Sequence, residues 1–300
     1  RNKKINLHHF KTTMNIPQAK DEKRISLEET KEMQHIILGI LKAIDKVCRE
    51  HNLQYFMIAG TMLGAVRHHG FIPWDDDADV ALPRHDYEVL LAHANEWLPE
   101  EYELVDYTKA NHYPYQFARI QDKRTTYILR RSFKFLGGIP VDIFPIDGMT
   151  ENKLARKYHY MRYNFVNKFL YYSQRDPYKH GKGISCLFYK TLQKILSPQK
   201  IHRVLTKIQS EYSYSDSKLA ADHDNRPERG ILPKEVYGTP TPIMVEGIEL
   251  MGVAQPDAYL SYCYGNYMEI PKEIPPQNFR YMDMKSPYKD YKGSVSMKKA

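Results

Sequence analysis

The stretch Gly60-Thr61-Met62-Leu63-Gly64-Ala65-Val66-Arg67-His68-His69-Gly70-Phe71-Ile72-Pro73-Trp74-Asp75-Asp76-Asp77-Ala78-Asp79-Val80 places two complementary chemistries close together in the chain. It follows a short apolar run over 55–59 that has strand length. Gly60-Thr61 then reads as a tight turn and 62–67 as a short helix. Gly70 and Pro73 break the chain before the acids, after which 80–82 extends as a strand until Pro83. Side chains alternate faces on a strand, so Asp77 and Asp79 project together while Ala78 and Val80 point into the core. Two carboxylates on one face repel. Partial burial of such a pair is unfavourable unless a cation neutralises it, and hard oxygen ligands suit Mg²⁺ or Mn²⁺. A glycine turn that opens a helix exposes backbone N–H groups able to hold phosphate oxygens, which gives Gly60 and Thr61 the complementary task.

Upstream, Ser26 and Glu29 make a capping box, and Met33, Ile36, Ile37, Ile40, Leu41, Ile44, Val47 and Cys48 recur at three and four, predicting a long helix that ends near His51. Residues 1–25 are polar and basic without period and read as an N-terminal arm. Downstream, a helix is expected over 86–97 and strands over 102–106, 115–120 and 125–129. Gly137-Gly138 leads into an apolar strand over 139–144 with Asp142 in its middle, where an unpartnered charge is costly. Asp142 calls for the same cation as Asp77 and Asp79. Arg119, Asp122 and Lys123 could reach phosphate but read as solvated strand ends. Composition shifts near Gly148. That divides the chain into a catalytic core over 26–150 and, over 151–300, a helical basic region with a C-terminal segment that completes an acceptor site. Within it 184–196 is amphipathic and 259–268 offers a last short helix or turn.

A glycine-threonine turn, two acids spaced by two on a strand and a later single acid on another strand resemble the nucleotidyltransferase superfamily. Read whole, the 60–80 string resembles the signature of the LicD family. Val141-Asp142-Ile143-Phe144-Pro145 with Asp147, Tyr264-Gly265-Asn266-Tyr267-Met268 and Pro287-Tyr288-Lys289-Asp290-Tyr291 agree with it. The resemblance implies an α/β fold with a nucleotidyltransferase-like mixed sheet. It also implies transfer of phosphocholine or a related phospho-alcohol from CDP-choline or a similar CDP-linked donor to a glycan acceptor, such as a lipid-linked sugar of teichoic acid or lipopolysaccharide. Eukaryotic relatives of the fukutin group imply ribitol phosphate as another cargo. Carried over, Asp77 and Asp79 are the paired metal ligands and Asp142 the third carboxylate, which could also draw the acceptor's proton. Gly60 and Thr61 hold donor phosphate and Arg67 assists. Trp74 is either a donor-stacking ring or a buried loop anchor. Ala78 stands where many members carry isoleucine, a change confined to the core side.

The formal charge of +8 is uneven: residues 151–210 hold thirteen Lys or Arg against Glu151 and Asp176. The basic aromatic helix over 153–175 suits either a membrane-surface role or core packing with a solvated basic back. A nucleic-acid-binding module is the alternative from another class, but the charge is local and no RNA or DNA motif accompanies it, so no nucleic acid is expected. Among enzymes, an Asp-x-Asp glycosyltransferase that uses a nucleotide-sugar is the rival. The histidines show no zinc spacing, and three distant cysteines read as reduced and structural. No apolar run reaches the roughly 18 to 20 residues of a membrane span. Arg1 suggests a trimmed chain, and the visible N-terminus lacks a signal-peptide run. Those features point to the cytoplasm, with a peripheral place at the inner face of the membrane.

Overall fold

The computed structural model describes residues 18–19, 24–110, 112–130, 134–175, 177–178 and 183–293. Most of the expected arm over 1–25 lies outside them. β1 (Gln18–Ala19) comes first, and Ser26 then caps α1 (Leu27–Glu50). The capping box forms as the sequence predicts: Glu29 N–H donates to Ser26 Oγ at 3.1 Å and Ser26 N–H to Glu29 Oε2 at 2.9 Å. Met33, Ile37, Ile40, Leu41, Ile44, Val47 and Cys48 line its buried face.

β2 (Phe56–Met57) is shorter than the apolar run because Ile58 already turns the chain into α2 (Ala59–His68). Gly60 and Thr61 therefore sit in the first helical turn and not in a loop ahead of it. The reason is local and tertiary at once. Ala59 takes a φ of 47°, its N–H donates to the Tyr259 hydroxyl at 3.0 Å, and Met62 N–H closes the first helical bond to the Ile58 carbonyl.

There follow β3 (Asp79–Pro83), α3 (Arg84–Trp97), β4 (Tyr102–Val105), β5 (Ala118–Asp122), β6 (Thr126–Leu129) and β7 (Pro140–Met149), the last buried along its whole length. α4 (Lys153–Gln174), α5 (Ile184–Ile195) and α6 (Pro198–Gln209) form the basic helical region. The chain then returns through β8 (Leu219–Ala221), α7 (Pro227–Gly230), β9 (Ile231–Pro233) and α8 (Lys234–Tyr237). It ends with the hairpin β10 (Thr241–Val245) and β11 (Ile248–Gly252), α9 (Pro256–Tyr264), β12 (Glu273–Ile274) and β13 (Phe279–Asp283).

The main sheet runs β2-β3-β7-β5-β4, with β3 and β7 parallel and the other pairs antiparallel. This is the mixed α/β sheet expected of a nucleotidyltransferase-like fold. β7 continues past its β3 partner to pair with β8, and β13 pairs with β6. One buried cluster accordingly contains side chains from Met33 to Phe279. No helix among the described residues is long and apolar enough to cross a membrane, and Cys48, Cys186 and Cys263 are free thiols.

Asp147, near the end of β7, is fully buried and paired through both oxygens with Arg84, Nε to Oδ1 and Nη2 to Oδ2 at 2.7 Å each. His223 Nδ1 lies 3.5 Å from the same carboxylate. Removing one partner of a buried pair strands the other charge in a poor solvent. Arg84→Met is expected to cost about 3 kcal/mol of stability, read by denaturant unfolding, and Arg84→Met with Asp147→Leu to cost less than the single change.

Candidate active site

Strand register builds the centre. Asp79 of β3 and Arg119 of β5 are the two Cα partners of Asp142 on β7, so the three side chains stand abreast on one face. The residues next along, Val80, Ile143 and Ala118, are fully buried on the other face. Asp77 lies two residues before Asp79 and ahead of the strand, which begins at Asp79 and not at Asp77 as the sequence suggested, yet the burial still alternates: Asp77 and Asp79 are half-buried, while Ala78 is buried. Asp142 N–H donates to the Ala78 carbonyl at 2.9 Å. Asp79 N–H donates to Thr61 Oγ1 at 2.7 Å, which ties the first turn of α2 to the start of β3.

The loop that carries the remaining acids is held from several sides. Gln34 of α1 donates from Nε2 to the Ile72 and Asp75 carbonyls, both at 2.9 Å, and Arg24 donates to the Trp74 carbonyl. Trp74 itself is only 4% exposed and sits edge-on to His68. Glu246, with φ 50° beside Gly247 at φ 77° in the tight β10–β11 turn, accepts from Phe71 N–H at 3.1 Å. From the C-terminal side, Asn278 N–H donates to Asp76 Oδ2 at 2.7 Å and its amide to Asp77 Oδ2 at 2.6 Å. Carboxylate oxygens of Asp75, Asp76 and Asp77 all lie within 4.8 Å of one another. Asp79 and Asp142 are not in that triad; the β3–β7 register brings them alongside. A Cβ on Gly60 would come within 2.8 Å of Asp75 Oδ2, so glycine there admits a carboxylate to the N-terminal turn of α2. Arg67 donates to the Tyr267 and Glu269 carbonyls at 2.8 and 3.3 Å and feels the charge of Asp75.

Burial and mutual repulsion raise the acids together. Burial, then Asp75 and Asp79, push Asp77 well above the ordinary carboxylate range, and burial, then Asp142 and Asp75, do the same to Asp79. Burial and Asp76 push Asp75 up to about 6. Asp142 is raised by burial, with Arg119 opposing: Arg119 Nε lies 2.6 Å from Oδ1, and Nη2 donates to Oδ2 at 2.9 Å. The guanidinium also lies over the Tyr115 ring, 4.4 Å from its centroid.

Arg119 and Asp122 are thus not solvated strand ends. They are 5% and 1% exposed, because β5 lies inside the sheet between β7 and β4. Sequence reasoning also missed Asp222 and Asp224, which follow β8. Asp224 is exposed at the surface, but its dense surroundings, then Asp222 and Asp142, push its carboxyl up to about 7, against the pull of Arg119. The apolar Leu219-Ala220-Ala221 ahead of Asp222-His223-Asp224 repeats the pattern seen at Asp142, and that was the available signal. A crowd of oxygen donors, from buried Asp142 to exposed Asp224, in which Arg119 and Arg24 offset only part of the charge, is a donor set that fits a hard divalent cation, which Asp77, Asp79 and Asp142 could hold.

Asp79 at the start of β3, Asp77 two residues ahead of it, Asp142 on the parallel neighbour and the N-terminus of α2 beside them make an arrangement like the one the sequence pattern implies for a nucleotidyltransferase. Residues 52–179 match the family model of the LicD/FKTN/FKRP nucleotidyltransferase domain, and over that segment the chain is similar to the LicD family. The lipopolysaccharide cholinephosphotransferase LicD of Haemophilus influenzae is 26% identical over 259 residues, which cover 81% of this chain and 92% of that protein. An uncharacterised protein of Rickettsia typhi is 31% identical over 146 residues, 48% of this chain and 43% of its own length.

Raised acids make a signed pH prediction. The folded chain keeps protons on Asp75 and Asp224 that the unfolded chain releases near the ordinary carboxylate value. Their contribution to stability is therefore present at low pH and lost as pH rises through about 6 to 7. A bound cation requires the ionised acids and reverses that trend. The increase in melting temperature caused by Mn²⁺ or Mg²⁺ is expected to grow from pH 5 to pH 8 in thermal unfolding with and without the ion; an increase independent of pH would place binding elsewhere.

Proposed function

We propose that this chain transfers phosphocholine, or a related phospho-alcohol, from a CDP-linked donor to a sugar hydroxyl of a cell-surface glycan, with Mg²⁺ or Mn²⁺ held by Asp77, Asp79 and Asp142. The observation that carries the reading is the Asp79–Asp142–Arg119 row beside the first turn of α2, in a segment similar to the LicD family. The named activity of the Haemophilus relative supports the cargo.

In the reaction, the acceptor oxygen attacks the phosphorus that bears the alcohol, the bond to the bridging oxygen breaks, CMP leaves and the hydroxyl proton passes to a carboxylate. A bound divalent ion supplies neutralisation of the diphosphate and of the charge that develops on CMP. The first-turn N–H groups of Gly60 and Thr61 receive phosphate oxygens. Thr61 keeps the turn in register with Asp79 through its hydroxyl. Tyr264, 44% exposed and within the field of Asp79, Asp75 and Asp77, would offer a ring face to a quaternary ammonium. A panel of CDP-linked donors, with CMP release followed with and without glycan acceptors, reads cargo, acceptor and this preference together. A nucleotide-sugar consumed in place of every CDP-alcohol would overturn the reading.

Asp77→Asn and Asp79→Asn are each expected to abolish transfer while the melting temperature holds or rises, because each removes a repelling charge from the cluster. Near-normal turnover of either variant, or activity that survives EDTA, would remove the metal centre.

Asp142 and Asp224 can both be asked to take the proton. Arg119 engages both oxygens of Asp142, whereas Asp224 carries a carboxyl near 7, close to the ideal for a base at neutral pH. Asp224→Asn is expected to lower kcat by about 10²- to 10⁴-fold and to erase the acid limb of the pH–rate profile, with donor affinity retained. If Asp142→Asn alone erases that limb, the role returns to Asp142.

A further inference from the structure

α4 and α5 pack on one another but each satisfies only one of its faces. On α4, Tyr163 and Leu170 are buried with Leu205 and Ile208 of α6. On the other side Leu154, Tyr158, Met161 and Phe165 recur at spacings of four, three and four, and are 79, 57, 59 and 62% exposed. α5 buries Cys186, yet Ile184, Leu187, Phe188 and Ile195 are 89, 67, 55 and 73% exposed. Scattered exposed apolar residues are ordinary on a protein surface, but two neighbouring helices with periodic apolar stripes in water are not.

Charge accompanies both stripes. Lys157 and Lys168 on α4 and Lys190 and Lys194 on α5 are exposed, within a segment of thirteen basic and two acidic residues. A cleft of about 400 Å³ beside the α4 stripe is lined by Lys153, Arg156 and Lys157 together with Tyr160 and Met161.

We propose that the α4–α5 face docks on an anionic lipid bilayer, lying in the plane of the interface with its apolar stripes among the acyl chains and its Lys and Arg at the lipid phosphates. The charge selects this occupant. A second copy of the same face would bring two strongly basic segments together, and a nucleic acid would leave Ile184, Leu187 and Phe165 without a partner. An anionic headgroup layer over hydrocarbon satisfies both features. The inference rests on the surface of these two helices and stands apart from the chemistry assigned to the carboxylate centre.

The test is vesicle sedimentation of the full chain with phosphatidylcholine alone and with phosphatidylcholine containing phosphatidylglycerol, at low and high salt. Binding to the anionic vesicles is expected to be about tenfold or more tighter and to weaken with salt. Phe165→Ser with Leu187→Ser is expected to reduce it about tenfold at low salt while the circular dichroism and melting temperature stay unchanged. Equal association with both vesicles, none with either, or undiminished binding by the double variant would overturn the assignment. So would a dimer in sedimentation velocity that the double variant dissolves, which would give the face to a second copy.

Discussion

Asp79 and Asp142 are direct partners across the parallel β3–β7 pair, and the surrounding structure answers the repulsion which that register enforces. The register cannot relax. A slip of one residue would turn Asp79 and Asp142 toward the core and bring buried Val80 and Ile143 to the site face. The apolar face therefore fixes the charged one. Arg119 enters from β5 to offset one charge, while Asn278 donates to Asp76 and Asp77 and Gln34 holds the loop backbone by its carbonyls. None of these contacts removes the repulsion among Asp75, Asp77 and Asp79. They hold the acids in place in spite of it.

Where a residue's place was written in a local pattern, the sequence disclosed it. The capping box at Ser26 and Glu29, the alternation through Asp77 and Asp79 and the apolar strand around Asp142 each depend on neighbours a few residues away. Arg119 could not be read the same way, since its burial follows from the place of β5 between β7 and β4, and topology is not a property of the residues around it. Asn278 meets Asp76 across 202 residues of chain, and no local period announces such a pairing. The early start of α2 has the same origin: the hydroxyl that receives Ala59 N–H belongs to Tyr259. The boundary drawn near Gly148 tracked composition, whereas β7 runs through that position and carries the sheet on to β8.

The C-terminal part acts on the acid loop from outside the main sheet. β13 closes on β6 just after Asn278, the β10–β11 turn reaches Phe71 through Glu246, and Arg67 is fastened to the 267–269 backbone. A second set of contacts joins the sheet to α4. His223 lies against Asp147, His159 and His223 meet through their Nε2 atoms at 2.9 Å, and His159 Nδ1 is 2.9 Å from Glu211. The helices with exposed apolar stripes are thereby coupled to the strand that carries Asp142 by buried polar contacts, so a surface that docks through α4 would hold the carboxylate centre at a fixed height above it.

Two acids on β7 show how differently one residue type is neutralised along a single strand. Burial would raise Asp147, yet Arg84 and His223 hold its carboxyl below the ordinary value, and its charge is answered within the fold. Asp142, five residues earlier on the same strand, also has an arginine, but that arginine acts on Asp224 as well, and burial keeps the carboxyl raised. With Asp79 alongside, one positive charge shared between Asp142 and Asp224 leaves an excess that a bound proton or an external cation can neutralise. Unanswered charge on a sheet face lowers stability, and its place beside a helix N-terminus fits a site that takes a ligand.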